Sequence, residues 1–267
     1  MLTALLRGSP YYGRMTHTGP RRERSLFASW RDPAGSIHPV GRLVRRIGPE
    51  GEHFSFGYLK LAERLADFEP LPGLSDLHQR YDSDRLFPVF LNRVMPRSRP
   101  DYVLLASRVD LTGDADPFEV LARTGGRRAT DRIEMFAAPE RTPEGDSCVL
   151  FLVRGIRHLQ GAPEAVESLR GGDRLVLVDH PDNPYNARAV LLRATDGRQV
   201  GWVPDYLVEH VHELRGLNGV DPELRVEHMN DQSVAAHMRL LCRLQAPWPT
   251  GYVPFSGPEF QTLVDLS

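Results

Sequence analysis

The chain has 267 residues, 41% of them apolar, with 33 Lys and Arg against 35 Asp and Glu. That length suits one large or two small globular units, and two is the better expectation. No apolar run approaches the ~20 residues of a membrane span, and the first thirty residues lack a signal-peptide core, so a cytoplasmic protein with no membrane partner is expected. The charge is unevenly spread. Residues 145–267 hold eleven Arg and sixteen acidic residues, a balance of −5, whereas residues 1–144 carry 22 basic and 19 acidic residues, a balance of +3. An acidic half is poorly suited to tracking long duplex DNA, whose affinity comes from many neutralised phosphates. It can still hold one chain end, where a few Arg and a stacking ring suffice. Lys60 is the only lysine. Cys148 and Cys242 both sit in apolar runs and read as reduced, buried thiols.

In chain order, residues 1–38 are rich in Gly, Pro, Ser and Arg without a hydrophobic period, which predicts a mobile, mildly basic tail. Val40–Arg46 reads as a strand, Gly48–Gly51 as a turn, and residues 52–57, with Phe54 and Phe56 alternating, as the returning strand of a hairpin. Tyr58, Leu61, Leu65 and Phe68 share one side of a predicted helix stopped by Pro70-Leu-Pro-Gly73. Residues 84–94 read as helical, with Pro88 near a start or kink. Pro117 opens a helix over 117–124 that Gly125-Gly126 closes, and a strand over 132–136 follows. The Phe-x-Phe hairpin, the segment Leu86–Arg93 and Asp116-Pro117-Phe118 resemble the N-terminal subdomain of HipA-type proteins, which implies docking to a partner or to another copy of the chain. In HipA proteins a kinase follows this piece; the 267 residues show no nucleotide-gripping or metal-binding loop of that kind, so no catalytic role is expected to carry over. Residues 39–138 form this first predicted domain, and the Pro- and Gly-containing linker 137–146 bounds it.

Residues 147–156 predict a strand, 163–170 a helix, 174–178 a strand, 187–194 a second strand, and Asp196-Gly197 turns the chain into a third over 199–203. A helix over 204–214 follows from the stripe Leu207, Val208, Val211 and Leu214, and strands are expected at 223–227 and 238–244. Trp248, Tyr252, Phe255 and Phe260 predict a tail that packs. Between the first two strands of the trio lies His180-Pro-Asp-Asn-Pro-Tyr-Asn186, a stiff polar loop with one aromatic face, of the kind that carries binding residues on a β scaffold.

Gly155-Ile-Arg157-His158, Gly172-Asp173, Asn183-Pro-Tyr185-Asn186 with Ala189-Val190, Asp196-Gly197 and Val200-Gly-Trp202-Val-Pro204 occur in the order seen in the HIRAN domain. That family is found alone in bacteria and at the front of eukaryotic DNA-remodelling helicases. The resemblance covers roughly residues 148–250 and implies a small β-barrel similar to an OB-fold that binds single-stranded DNA at its 3′ end. The predicted fold class is therefore α+β: a small mixed N-terminal domain followed by an OB-like barrel over 146–267.

The resemblance implies that Tyr185 stacks on a terminal base, worth ~1–3 kcal/mol; a tyrosine folded under its own loop is the plain alternative. It implies a phosphate contact at Arg157, through a guanidinium fork that matches phosphate oxygens, or else a solvated strand arginine. His158 replaces a common aromatic of the family. Asn186 stands where the family has Asp and would meet the terminal hydroxyl, whereas Asp205 stands where some members carry a basic residue. Asn183 shapes the turn, and Trp202 faces either pocket or core. No cofactor or metal is expected: His210 and His212, two apart on a helix, point to different faces, and zinc spacings are absent. Three functions follow in order: a non-enzymatic binder of single-stranded DNA 3′ ends, a protein-interaction module related to HipA-type subunits without DNA binding, and a small hydrolase or nuclease around Asp182 and Asp205.

Overall fold

The computed structural model describes residues 22–267. The hairpin cue is met at Gly48 and Gly51, which pair directly and close strands β2 (Ile37–Gly48) and β3 (Gly51–Tyr58). These belong to an antiparallel five-stranded sheet with β1 (Arg22–Arg31), β4 (Tyr81–Ser83) and β5 (Ile133–Ala137), in the order β4-β3-β2-β1-β5. The expectation of a tail over residues 1–38 is thereby corrected for its described part. Residues 22–31 are an interior strand, and the rest of that expectation, residues 1–21, lies outside the described residues. The reason is two-sided burial. Leu26, Ala28 and Trp30 enter the core under one face of the sheet, and Phe27 enters a separate aromatic cluster on the other. A strand buried on both faces shows no polar–apolar alternation to betray it.

The predicted helix over 58–68 is also replaced. Tyr58 stays in β3, where its hydroxyl donates to Leu74 O (2.7 Å) and accepts from Leu71 N (2.6 Å), so the Pro70–Gly73 loop wraps around it. Only Ala62–Arg64 winds, as a 3-10 turn. The segment 84–94 helps fill the core with α1 (Pro88–Leu91), and α2 (Tyr102–Arg108) was not anticipated. Helix α3 (Pro117–Thr124) matches its caps: Asp116 Oδ1 accepts from Phe118 N and Glu119 N at 2.9 and 3.1 Å, and Gly125 closes it at φ 73°.

The second sheet runs β10-β9-β8-β11-β12-β7-β6, all antiparallel, from β6 (Glu140–Arg141), β7 (Asp146–Leu152), β8 (Arg174–Asp179), β9 (Val190–Ala194), β10 (Gln199–Trp202), β11 (Glu223–Met229) and β12 (Leu240–Pro247). The helices α4 (Ala162–Ser168) and α5 (Asp205–Asn218) cover its core, and α5 contributes the anticipated stripe Leu207, Val208, Val211 and Leu214. The barrel expectation is corrected: the sheet does not close. Its ladder at β7 ends at Leu152, and a single bridge, Arg154 with Trp202, joins the far strand β10 to the chain leaving β7.

The two sheets share a seam. Phe136 of β5 stacks on Tyr206 of α5 at 4.2 Å and 13°, and Phe27, Phe255 and Phe260 complete the cluster. The terminal segment, grouped with the second domain in the sequence, lies against the first sheet: Thr262 bridges Leu59, Leu263 N donates to Tyr58 O at 2.8 Å, and Leu266 is buried. Among the described residues no helix is long and apolar enough to cross a membrane.

Candidate nucleic-acid interface

The bridge between Arg154 and Trp202 (N···O 3.0 and 2.9 Å) needs two glycines. A Cβ on Gly201, at φ 148°, would sit 2.4 Å from Val153 Cγ1 and 2.6 Å from Arg154 O. A Cβ on Gly155, at φ 71°, would sit 2.3 Å from Trp202 Cε3. With no side chain at either position, the indole lies directly on the Gly155 turn. Its opposite edge faces the polar loop, where Nε1 donates to His180 Nδ1 at 3.2 Å and the two rings lie 21° from parallel. Trp202 is thus half-buried between the two segments that carry the other candidate residues, rather than wholly in core or pocket.

The loop is held from within. Asn183 Oδ1 accepts from the backbone N–H of Tyr185 (3.0 Å) and Asn186 (3.2 Å), and Asn183 N donates back to His180 O. Asn186 Oδ1 accepts from Arg188 N at 2.9 Å, while its Nδ2 donates to Asp205 Oδ1 at 3.3 Å. The two positions are therefore coupled: an Asp at 186 would face the Asp205 carboxylate with like charge. Arg188 forks onto Glu209 at 2.5 and 2.9 Å and braces the loop on α5. Tyr185 projects from this frame 87% exposed, so it is not folded under its loop. Among the described residues its ring makes no aromatic contact, and the loop that carries it is held by the Asn183 side chain.

On the other side of the indole, Arg157 and His158 lie on the 3-10 turn Ile156–His158, not on a strand as expected, because Gly155 breaks β7's course in the left-handed region. Buried Ile156 anchors the turn. Arg157 Nε donates to His158 Nε2 at 3.1 Å, and both side chains are exposed. His237 stands near them: its proton affinity is lowered first by burial and then by the charges of Arg127, Arg154 and Arg157. Of the three arginines, Arg157 alone belongs to the exposed turn, and Arg127 and Arg154 share the Glu134 carboxylate. Arg127 comes from the first unit and lies 3.8 Å from Glu134. Neither Arg127 nor His237 was picked out in the sequence. Each lies far along the chain from Arg157, and no local spacing signals it.

No three metal-ligating side chains cluster among the described residues. His210 is buried on α5 against Tyr252 and Ser147, and His212 faces Arg188 O. Cys148 and Cys242 are free thiols whose pKa values burial pushes up, so neither is an activated nucleophile.

Residues 147–248 match the HIRAN domain family. Two solved structures resemble this chain. A Lactobacillus plantarum protein from a structural genomics programme is 20% identical, with 38% of this chain and 98% of that one covered at a TM-score of 0.31. The HIRAN domain of human HLTF is 19% identical, with 39% of this chain and 78% of that one covered at 0.28. No curated protein matches. The chain thus carries a HIRAN domain at 147–248, whereas the likeness of the N-terminal half to HipA-type subunits rests on its motifs alone.

Proposed function

We propose that this chain is a non-enzymatic nucleic-acid-binding protein whose HIRAN domain grips the 3′ end of single-stranded DNA. The observation that supports the reading is Trp202, which packs on the Gly155 turn ahead of Arg157 and donates to His180 of the loop that carries the exposed Tyr185. The terminal base stacks on Tyr185, and Arg157, beside His158, takes the adjacent phosphate in two-point fashion. Asp205, oriented by Asn186 Nδ2, accepts the hydrogen bond of the terminal hydroxyl and repels a terminal phosphate. In this chain the carboxylate has moved from the loop to the start of α5.

Binding of labelled single strands ending in a 3′ hydroxyl or a 3′ phosphate, and of a blunt duplex, tests the reading. The hydroxyl-ended single strand should bind tightest, Tyr185→Ala should weaken it by ~1–3 kcal/mol, and Asp205→Asn should narrow the preference for the hydroxyl. Indifference to strandedness and end chemistry would overturn it.

A second reading has the HipA-like half dock a protein partner or a second copy. Leu91, Val103 and Leu104, which are 44%, 64% and 52% exposed on α1 and α2, favour it. Light scattering of the full chain and of a Val103→Asp, Leu104→Glu variant tests self-association: a dimer that the variant dissolves supports that form, and a monomer in both removes it.

A further inference from the structure

Between the two sheets, on the side formed by β1, the β5–β6 connection and the C-terminal segment, lies an open cleft of about 700 Å³. That is the size of a small-molecule site. Phe255 and Phe260 line it, both partly exposed, packed 4.7 Å apart and edge-on to buried Phe27. Phe255 has φ 53°, a left-handed backbone that a bulky residue adopts only when its surroundings impose it. Here packing against Phe27, Phe136, His210 and Phe260 imposes it, and the partly exposed remainder of the ring lines the cleft.

Cations stand around this apolar floor. Lys60 Nζ donates only to the neutral amide of Gln261 at 3.1 Å. Among the described residues the exposed Arg141 guanidinium has no ion-pair or hydrogen-bond partner. Arg42 lies over the Phe27 ring, donates to Ser25 Oγ and stands 3.6 Å from Glu23, which pairs more closely with Arg46 at 2.9 Å. The other cleft carboxylate, Glu140, is taken by Arg24. Lys60 and Arg141, without a carboxylate partner among the described residues, and Arg42, paired with Glu23 at 3.6 Å, line the same cleft as the two phenylalanine rings.

We propose that this cleft is a second binding site, for a small phosphorylated ligand with a flat ring, of which a nucleoside monophosphate is the type. The phosphate is held by Lys60, Arg141 and Arg42, and the ring lies on Phe255 and Phe260. Cationic donors and phosphate make charge-assisted hydrogen bonds, and ring-on-ring contact adds what a bare anion cannot gain. No lining residue of the cleft belongs to the loop that carries Tyr185, and the proposal does not depend on the end-binding reading.

Calorimetric titration of the full chain with AMP, adenosine and inorganic phosphate separates the two contacts. AMP should bind more tightly than either of its parts. The double variant Lys60→Met, Arg141→Gln changes two exposed side chains, so its melting temperature should hold, while its affinity for AMP should fall about tenfold or more. Tyr185→Ala should leave AMP binding unchanged, and the double variant should leave binding of the 3′-ended strand unchanged, so failure of one site is distinguishable from failure of the other. No AMP binding at millimolar concentration, equal affinity for AMP and phosphate, or equal AMP binding by the double variant would each overturn the proposal.

Discussion

His210 sets a pH limit on this fold. It is fully buried on α5, between Tyr252, whose hydroxyl lies 2.6 Å from Nδ1, and Ser147, whose Oγ lies 3.5 Å from Nε2. The Tyr252 hydroxyl donates to Glu213 at 2.8 Å, so its oxygen accepts from His210 Nδ1–H, and Nε2 is left to accept from Ser147. That network assigns a neutral ring. Burial drives the His210 pKa down from 6.5 to about 4. The unfolded chain therefore binds the proton more readily than the folded one, and stability falls as pH drops from 6.5 towards 4. The difference of about 2.5 units corresponds to about 3 kcal/mol, fully present above pH 7 and lost by pH 4. His210→Gln keeps a donor and an acceptor but cannot titrate. Urea unfolding of both proteins, followed by tryptophan fluorescence between pH 7 and 4.5, should show the wild type losing up to ~1.4 kcal/mol per pH unit more than the variant. Parallel curves would refute the buried neutral histidine, as would a His210 ring resonance that titrates near pH 6.5.

Gly155→Ala forces a Cβ into the Trp202 ring and an unfavourable φ on alanine; it should destabilise by about 1–3 kcal/mol and abolish the His180–Trp202 contact, read from indole N–H exchange. Glu134→Ala leaves the largely buried Arg154 without its carboxylate and should cost about 3 kcal/mol, whereas Glu134→Leu with Arg154→Leu should recover most of it; urea midpoints check both. Deleting residues 262–267 removes the Thr262 bridge, the Leu263 hydrogen bond and buried Leu266 from the first sheet. That deletion should cost about 3 kcal/mol and lower the melting temperature by roughly 6–10 °C in calorimetry.

Elements whose ends carry their own chemistry were legible in the chain. The β2–β3 hairpin follows from Gly48 and Gly51, and α3 follows from Asp116, Pro117 and Gly125, because each turn or cap is decided within a few residues. Where tertiary packing decides, the sequence pointed elsewhere. Tyr58, Leu61, Leu65 and Phe68 have helical spacing, yet Leu65 and Phe68 pack irregularly because Tyr58 was already claimed by β3. β1 carries no alternation because the second unit covers its outer face at Phe27. The open sheet follows from Gly155 and Gly201, whose backbone conformations stop the ladder after one bridge, and a list of strands does not reveal where a ladder stops.

The same division runs through the candidate site. The loop residues Asn183, Tyr185 and Asn186 could be read locally, since the loop is organised by its own amides. Arg127 and His237 could not, because the charges of Arg127 and Arg157, far apart in the chain, act together on His237 only once the chain is folded. The pair Asn186 and Asp205 shows how far single positions mislead. Taken separately, each weakens the expectation of end recognition: one loses a carboxylate, and the other replaces a basic residue with an acid. The structure joins them by a 3.3 Å hydrogen bond from Asn186 Nδ2 to Asp205 Oδ1, which no reading of either position alone reveals. The consequence is specific: Asn186→Asp alone sets two carboxylates side by side and should weaken binding of a hydroxyl-ended strand, whereas Asn186→Asp with Asp205→Lys should restore it. Equal affinities for the single and double variants would show that the two positions act independently.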